Sequence, residues 1–349
     1  MEKRINHKAL KVFLLKVLKK AGLDKHSADS VATGLCETSL RGVDSHGIRL
    51  INHYVYSAIY GRKNPKPKYK FVKTFPALGV LNADNAFGHA AGMKAIDICM
   101  KIASKFGVGI VAVKNSSHPG ALASMTLRAA RKKFIAFAFT HADSLLLSHN
   151  GKKPYFGTNP ICFAAPRKEK EPFCIDMATS MISWNKLLKF RNQNKKLDNN
   201  LAADVQGNPT IIPSKARSLF GAGSYKGYAL ASMVEVLCGV LTGMNFGTSI
   251  PAMYKFSMHK PRKLGQFYIV FKPNAAISLN VFIKRMQDLT SQVRRQKAKI
   301  KKNKVMMPND PEILNMKARV KRGIPLDNNT FKEMKALSKK FSIDLKLLN

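Results

Sequence analysis

Apolar residues recur at three- and four-residue steps through the first third of the chain, which is the spacing of amphipathic helices. The first series is Leu10, Phe13, Leu14 and Val17. Gly22 is placed to end this helix, and Ser27 is placed to cap a second helix that continues to about Thr38. A third amphipathic stretch runs from Asp44 to Tyr60. The beginning of the chain is therefore predicted to be helical.

The pattern changes at Ala77 to alternating strands and helices, which predicts an α/β layer structure. Strands are expected at 78–82, 108–113, 134–140, 161–165, 173–176 and 266–271, and helices at 88–106, 121–132 and 228–241. The Lys- and Pro-rich segment 62–73 indicates an extended linker or an edge strand. From 276 onward the chain returns to amphipathic helices. We expect a helical segment at 1–75, an α/β domain at 76–272, and a helical segment at 273–349 that packs with the first.

Composition indicates a folded protein with a strongly basic surface. The 349 residues are 45% hydrophobic, and 60 Lys and Arg against 20 Asp and Glu give a formal charge of +40. This charge favours acidic partners, which include nucleic acid, anionic lipid and ligands that carry phosphate or carboxylate. Only 15 of the cations are Arg, the residue that base readout favours, and a general compositional bias toward Lys would look the same. The densest run, from Arg294 to Lys304, is predicted to lie on a C-terminal helix.

The cysteines and the apolar stretches indicate a cytoplasmic protein without a membrane partner. The five cysteines are widely spaced and form no C-x-x-C pair, which favours free thiols in a reducing compartment. The N-terminal stretch has the charges of an amphipathic helix and lacks the apolar centre of a secretory signal. The most apolar stretch, 227–243, carries Glu235 and is short for a membrane span, so it predicts a buried helix.

Common cofactor and hydrolase motifs are missing from the sequence. No G-x-G-x-x-G follows a predicted strand, and no Walker, H-E-x-x-H or G-x-S-x-G pattern occurs, so a Rossmann nucleotide site has no support. No metal site is predicted. Four sets of short polar stretches in apolar surroundings remain, and we call them polar islands: RGVDSHGIR, NSSHPGA, GTNP with DMATS, and SYKGY. These islands supply the candidate ligand contacts.

Two islands contain histidines with possible chemistry. His118 stands in a Ser- and Gly-rich turn between a predicted strand and a predicted helix, where α/β proteins place reactive side chains. It can exchange a proton with a substrate, or it can be a turn histidine bonded to backbone. His46, with Ser45 and Arg49, can help hold a carboxylate, or the segment can be a helix start capped by Asp44 or Ser45. The residues alone leave both pairs of alternatives open.

The other islands predict contacts built from turns. The GTNP turn directs the side chains of Thr158 and Asn159. Asp176, at a strand end, either bonds a ribose hydroxyl or belongs to an ordinary turn or cap. Lys226 and Gly227 precede a predicted helix whose N-terminus can attract phosphate.

Taken in order, the islands resemble the malate/L-lactate dehydrogenase family that lacks a Rossmann fold, which includes ureidoglycolate, sulfolactate and diketogulonate dehydrogenases. The resemblance covers the chain from about Asn6 to Phe331. It rests on LRGVDSHG, NADNAFGHAAG, GVGIVAVKNSSHPGA, GTNPICFAAP, FCIDMATS, YKGYALASMVEVLCGVLTG and GIPL. The stretch 253–274 is most similar to the ureidoglycolate branch.

The resemblance implies a homodimeric enzyme that uses NAD or NADP to oxidise a small 2-hydroxy acid, or to reduce the 2-oxo acid, on a non-Rossmann mixed-sheet cofactor domain. His118 matches the catalytic histidine that takes the hydroxyl proton. On the substrate side, Ser45 and His46 match the family motif, His259 matches with one residue inserted, and Arg49 is the nearest candidate for the carboxylate-binding arginine. The cofactor-side residues are Thr158, Asn159, Asp176, Met177, Ala178, Lys226 and Gly227.

Several positions depart from the family pattern. Arg49 comes three residues after His46, whereas relatives place the carboxylate-binding arginine four residues after it, where Leu50 stands here. The other departures are Ala142 or Ser144 for a loop serine, 148–151 for Pro-Phe-Gly-Gly, Asn185 and Leu201 for Gly and Trp, and 308–310 for Pro-Gly-Glu. Two hypotheses follow: an active dehydrogenase, or a weakly active or inactive protein of that fold that binds polyanions through its basic surface. We favour the enzyme and do not expect nucleic acid binding.

Overall fold

The computed structural model describes residues 3–254 and 257–344. Its helices are α1 (His7–Lys20), α2 (Lys25–Leu40), α3 (Ile51–Ile59), α4 (Gly88–Phe106), α5 (Ala123–Arg131), α6 (Trp184–Asn192), α7 (Tyr225–Glu235), α8 (Leu279–Arg294), α9 (Asp310–Arg322) and α10 (Asn328–Phe341). Its strands are β1 (Lys3–Ile5), β2 (Lys70–Phe75), β3 (Leu78–Asn82), β4 (Val108–Ser116), β5 (Ile135–Thr140), β6 (Leu146–Leu147), β7 (Pro154–Phe156), β8 (Ile161–Ala165), β9 (Phe173–Met177), β10 (Ala202–Ala203), β11 (Ser218–Leu219), β12 (Leu264–Phe271) and β13 (Ile324–Leu326). The predicted α/β class is confirmed.

A seven-stranded sheet in the order β2-β3-β4-β12-β5-β8-β9 forms the centre of the fold. Within the described residues, β3 and β4 are parallel and the other neighbouring strands are antiparallel. β12 enters from far along the chain between β4 and β5, where Tyr268 lies opposite both Val111 and Ala138. The sheet is therefore mixed, and its central strand ties the later part of the chain to the earlier part.

Helices cover both faces of this sheet. α4 and α5 pack on one face, and α7 with the π-helical segment Val236–Val240 packs on the other. A Cβ at Gly109 would overlap the carbonyl oxygen of Cys99 in α4, and a Cβ at Gly265 would overlap that of Cys238 in the π-helical segment. These close approaches fix β4 and β12, whose ends lead to the candidate site.

The first and last segments of the chain share one hydrophobic core. β1 pairs antiparallel with β13, so Ile5 lies opposite Ile324. Phe13 of α1 is buried in the same cluster as Met334 and Leu337 of α10. The C-terminal helices therefore pack against the N-terminal helices, while the division at 1–75, 76–272 and 273–349 stays a prediction.

Two helix starts differ from the prediction. Asp24, rather than Ser27, caps α2, because its carboxylate accepts a 2.7 Å hydrogen bond from the Ser27 backbone N–H. The third helix begins at Ile51 rather than near Asp44, since two 3₁₀ turns, Asp44–His46 and Ile48–Leu50, precede it. An apolar spacing of three to four residues does not distinguish such turns from a continuous helix.

The prediction of a buried helix at 227–243 is wrong for its outer face. Val234 and Cys238 pack against the sheet. The outward side exposes Leu230, Met233, Val236, Val240 and Leu241. Apolar residues on every side of a helix predict that every side is buried. In this chain only the side that faces the sheet is buried.

The dense basic run does not lie on a helix. α8 ends at Arg294, and residues 295–304 follow in turns and irregular backbone. Like charges four residues apart, which recur in this run, weaken a helix. Arg294 itself pairs with Glu169 at 2.7 Å and with Asp310 at 2.6 Å. Part of the basic run therefore holds α8 and α9 to the end of the central sheet.

A second sheet, with four short strands in the order β10-β11-β6-β7, was not predicted. Its strands are two or three residues long, too short for an alternating pattern to show in the sequence. β6 and β7 extend the loop after β5 toward the candidate site. Beside this sheet, Leu187 of α6 is buried with Leu201, Ala202 and Leu219 in a small separate core.

The cysteines are buried free thiols at all five positions. Burial is the main cause that raises the pKa of the Cys36 thiol to about 11, which leaves little reactive thiolate at neutral pH. In the described parts of the chain, no helix combines the length and the apolarity needed to cross a membrane.

We predict that the C-terminal helices stabilise the fold through their buried side. Leu337 of α10 is 1% exposed in the shared core, whereas Leu314 of α9 is 53% exposed. Leu337→Ala should lower the free energy of unfolding by about 2–5 kcal/mol, because it leaves a cavity. Leu314→Ala, which removes the same atoms from the surface, should cost about 0.5 kcal/mol or less. Urea unfolding of both variants measures the difference, and equal losses would contradict the shared core.

Candidate active site

A cavity of about 1530 Å³ opens where the N-terminal helices meet the loops of the central sheet. The loop after β4 contributes His118, the 3₁₀ turn after α2 contributes Ser45 and His46, and the end of β9 contributes Asp176. Side chains from separate parts of the sequence therefore line one space. Such a concave site with a few convergent polar groups is the usual form of an active site.

His118 is held at the edge of this cavity by an aromatic side chain. Tyr54 Oη, on α3, lies 2.9 Å from His118 Nδ1. The ring of His46 stacks on the ring of His118, with centroids 5.6 Å apart and an angle of 25° between planes. In the tautomer that carries its proton on Nδ1, His118 donates to Tyr54 and keeps the Nε2 lone pair for another partner.

The loop that carries His118 is fixed by buried polar groups. Ser117 Oγ accepts a hydrogen bond from the Gly88 N–H and donates one to the Ala86 carbonyl, both at 2.9 Å. Gln266 Nε2, on β12, donates to the Ser117 carbonyl at 3.1 Å. The loop is therefore tied to the start of α4 and to the central strand, which sets the position of His118 before any ligand binds.

The surroundings keep both histidines neutral. Burial, and then the nearby His46, Lys63, Arg262 and His89, hold the pKa of His118 well below 6.5. Burial, and then Arg49, lower the pKa of His46 to about 4. A histidine whose pKa is lowered stays unprotonated at neutral pH, so His118 can accept a proton there.

The predicted site residues that line the cavity are Ser45, His46, His118, Thr158, Asp176, Met177 and Ala178. Ser45 Oγ lies 2.9 Å from His46 Nδ1, and Asp44 pairs with Arg319 of α9, so neither side chain caps a helix. Asp176 accepts a 2.8 Å hydrogen bond from the Ala123 N–H at the start of α5. Asp176 lies in the cavity lining, and desolvation by the surrounding protein raises the pKa of its carboxyl to about 6.

The structure places other predicted residues outside the cavity lining. Asn159 is buried and donates to the Ala231 carbonyl at 2.9 Å and to Glu235 at 2.6 Å, so its side chain fixes the turn instead of facing a ligand. Gly227 lies in the first turn of α7, because that helix begins at Tyr225, and a Cβ there would overlap backbone of the preceding loop.

Three charged or titratable candidates also lie outside the lining. Lys226, in the first turn of α7, is exposed, and Arg49 is half-buried in the second 3₁₀ turn. His259 is exposed, with its ring 5.4 Å from the ring of Tyr60. Each of these residues was selected from its place in a motif, which does not determine the direction of its side chain.

Several lining residues were missed by the sequence predictions. Trp184, Tyr254 and Arg262 face the cavity. The last two belong to the stretch 253–274 that resembles the ureidoglycolate branch, but the resemblance assigns neither of them a role. Asn185, noted only as a departure from the family pattern, donates a 2.9 Å hydrogen bond to the Ser45 carbonyl. Among the described residues, no cluster of three or more His, Cys, Asp or Glu could hold a metal ion.

A model of the family described as malate/L-lactate dehydrogenase matches residues 5–335. The chain belongs to the malate/L-lactate dehydrogenase family. The resemblance expected from the motifs is therefore confirmed. Ureidoglycolate dehydrogenase (NAD(+)) of Escherichia coli (strain K12) is 34% identical over 279 residues, which cover 80% of each chain.

Solved structures give the same result for the whole fold of this family member. The crystal structure of malate dehydrogenase from Entamoeba histolytica is 28% identical, with a TM-score of 0.93 over 99% of both chains. Sulfolactate dehydrogenase from Methanocaldococcus jannaschii is 27% identical, with a TM-score of 0.91 over 99% of both chains. The departures at the turns therefore leave the family fold intact.

We predict that Tyr54 positions His118 in this dehydrogenase-family protein. Tyr54→Phe removes the hydroxyl 2.9 Å from His118 Nδ1 and should lower kcat by about tenfold, the equivalent of roughly 1.4 kcal/mol for one hydrogen bond. Tyr56→Phe, on the same helix, is the control and should leave kcat unchanged. Steady-state turnover of a 2-hydroxy acid measures both variants. Equal kcat values for the two variants would contradict the positioning role.

Proposed function

We propose that this protein is an NAD(P)-dependent dehydrogenase that transfers hydride between carbon 2 of a small 2-hydroxy acid and nicotinamide. The observation that carries the proposal is the placement of His118, neutral and held by Tyr54, at the edge of a cavity with room for two ligands. Membership in the malate/L-lactate dehydrogenase family supports it. The acids of the malate, lactate and ureidoglycolate type are the candidate substrates.

His118 acts as the base in this reaction. Its Nδ1 proton is directed to Tyr54, and Nε2 takes the proton of the substrate hydroxyl while the hydride leaves carbon 2. The hydroxy acid becomes a 2-oxo acid, and the proton on His118 is released to solvent. The stacked ring of His46 limits the rotation of His118, and Ser45 fixes the ring of His46.

The cavity suits a dinucleotide beside a small acid. About 1530 Å³ exceeds the roughly 300–1,000 Å³ of a pocket for one drug-sized ligand. Thr158, Met177 and Ala178 would border the cofactor, and the lining cations Arg191 and Arg217 would face its phosphates. When bound, the cofactor supplies the nicotinamide ring that accepts the hydride.

We also propose that the protein is a cytoplasmic homodimer. We place the protein in the cytoplasm on the grounds that its five thiols are free. The non-Rossmann cofactor domain corresponds to 76–272, with the two terminal segments as its helical companion. The exposed apolar side of α7 favours a homodimer, because a large exposed apolar face is usually covered by a partner.

The proposed activity predicts a strong loss on removal of His118. The purified protein should oxidise at least one of malate, lactate, ureidoglycolate and sulfolactate with NAD or NADP, measured by the absorbance of the reduced nicotinamide. His118→Ala should lower the rate by about 10²–10⁴-fold, because it removes the general base. His149→Ala, which replaces a histidine outside the cavity lining, is the control.

Flat absorbance traces with every substrate and both cofactors would overturn the proposed function. In that case, the polyanion-binding alternative predicts binding of duplex DNA that weakens with salt at a slope of about −0.9 per phosphate neutralised. The sequence predicts no such binding for the active enzyme.

The proposed homodimer predicts that a charge on the outer side of α7 separates the subunits. Val236, at the end of α7, is 54% exposed on this side. The wild type should sediment at twice the chain mass of 38.7 kDa, and Val236→Glu should sediment as the single chain because a buried unpaired charge is costly. Val12→Glu, at a 42% exposed position on α1, is the matched control. A monomeric wild type, or a dimeric Val236→Glu, would contradict this interface.

A further inference from the structure

Three buried basic residues form a group, of which Lys63 and Arg262 lie near enough to His118 to affect its pKa. Arg62, Lys63 and Arg262 are 1%, 1% and 3% exposed. Arg62 donates to the Met253 carbonyl at 2.7 Å, and Lys63 Nζ lies 4.1 Å from the centre of the Tyr54 ring. The cations affect one another: after burial, Arg262 and Arg62 lower the pKa of Lys63 well below its usual range.

Asp143 offsets only part of this positive charge. Its carboxylate pairs with Arg262 Nη2 and accepts a 3.3 Å hydrogen bond from the Met253 N–H. Among the residues that the structure describes, no other carboxylate forms an ion pair with Arg62, Lys63 or Arg262. Buried positive charge in excess of its partners is costly unless an anion binds beside it.

Arg262 is the member of this group that lines the cavity, as do His118 and Tyr254. Its Nε donates to the Pro251 carbonyl at 2.7 Å, and its Nη2 is held by Asp143. Within the described residues, Nη1 has no hydrogen-bond partner. The guanidinium is thus oriented by protein on one side and retains donors for a ligand on the other.

Arg49, the cation that the motif predicts for the substrate carboxylate, lies near His46 but outside the cavity lining. It belongs to the 3₁₀ turn Ile48–Leu50 and does not line the cavity. Leu50, at the position where relatives carry their arginine, is buried in the core shared by the two ends of the chain. The position from which relatives bind the substrate carboxylate therefore carries an apolar side chain in this chain.

We infer that Arg262, oriented by Asp143, binds the carboxylate of the 2-hydroxy acid, in the role that the motif predicts for Arg49. This inference rests on the proposed function. A guanidinium can donate two parallel hydrogen bonds to a carboxylate, which would fix the acid with its hydroxyl toward His118. The positive charge of Arg62, which interacts electrostatically with Arg262, increases the attraction for the anion.

The single tryptophan allows a test that does not depend on turnover. Trp184 lines the cavity, so its fluorescence should report ligands that enter it. The probes are NADH and then oxamate, an acid whose carboxylate adjoins a carbonyl. For Arg262→Gln, the Kd for oxamate should rise about tenfold or more, since a charge-assisted pair is lost. The Kd for NADH should stay within about threefold of the wild type.

Arg49→Gln is the matched control, and it should change the Kd for oxamate by less than about threefold. Arg262→Lys keeps the charge beside Asp143 in case Arg262→Gln does not fold, and it should still weaken oxamate binding because lysine cannot donate in a fork. In steady-state assays, Arg262→Lys should raise KM for the acid more than it lowers kcat.

The outcomes separate this inference from the proposed function. If Arg49→Gln weakens oxamate binding and neither Arg262 variant does, Arg49 is the carboxylate ligand and the inference is wrong. If the wild type binds no oxamate, the inference also fails. If the wild type binds oxamate through Arg262 but neither binds NADH nor reduces NAD or NADP, the anion site stands and the dehydrogenase function does not.

Discussion

The hydrogen bond between Tyr54 Oη and His118 Nδ1 joins the two parts of the molecule that form the cavity. Tyr54 belongs to α3 and is buried in the core that the first and last segments share, whereas His118 follows β4 of the central sheet. Tyr54 is held in place by helix packing. His118 is held by the hydrogen bonds that Ser117 and Gln266 make within its loop. A histidine placed in this way would need little rearrangement to act as a base when a substrate binds.

Charge has different consequences on the surface and inside this protein. The formal charge of +40 comes mostly from lysines spread along the chain, and some basic residues, such as Arg294, serve to hold helices through ion pairs. The buried cations beside His118 are few, but low polarity makes their field stronger. They favour a neutral histidine and an anionic ligand, which are the two conditions that oxidation of a hydroxy acid requires.

Much of the central fold could be predicted from local pattern. β3, β8 and α4 have the bounds that the sequence predicted, because buried strands and amphipathic helices leave a regular pattern of apolar residues. The second sheet could not be predicted, since its strands are too short to show such a pattern. The exposed side of α7 was mistaken for buried surface because apolar residues on every side of a helix do not reveal which sides the rest of the chain covers.

The sequence by itself determined the family and the α/β class and singled out His118 as the candidate catalytic residue, because ordered motifs and local periodicity survive without three-dimensional information. Only the tertiary structure decided which side chains share the cavity. Asn159 turned inward to support α7, His259 stayed on the surface, and Arg262, to which the resemblance assigned no role, lines the cavity. The reason is physical: a motif fixes the order of residues along the backbone, whereas packing between distant segments fixes the direction of each side chain.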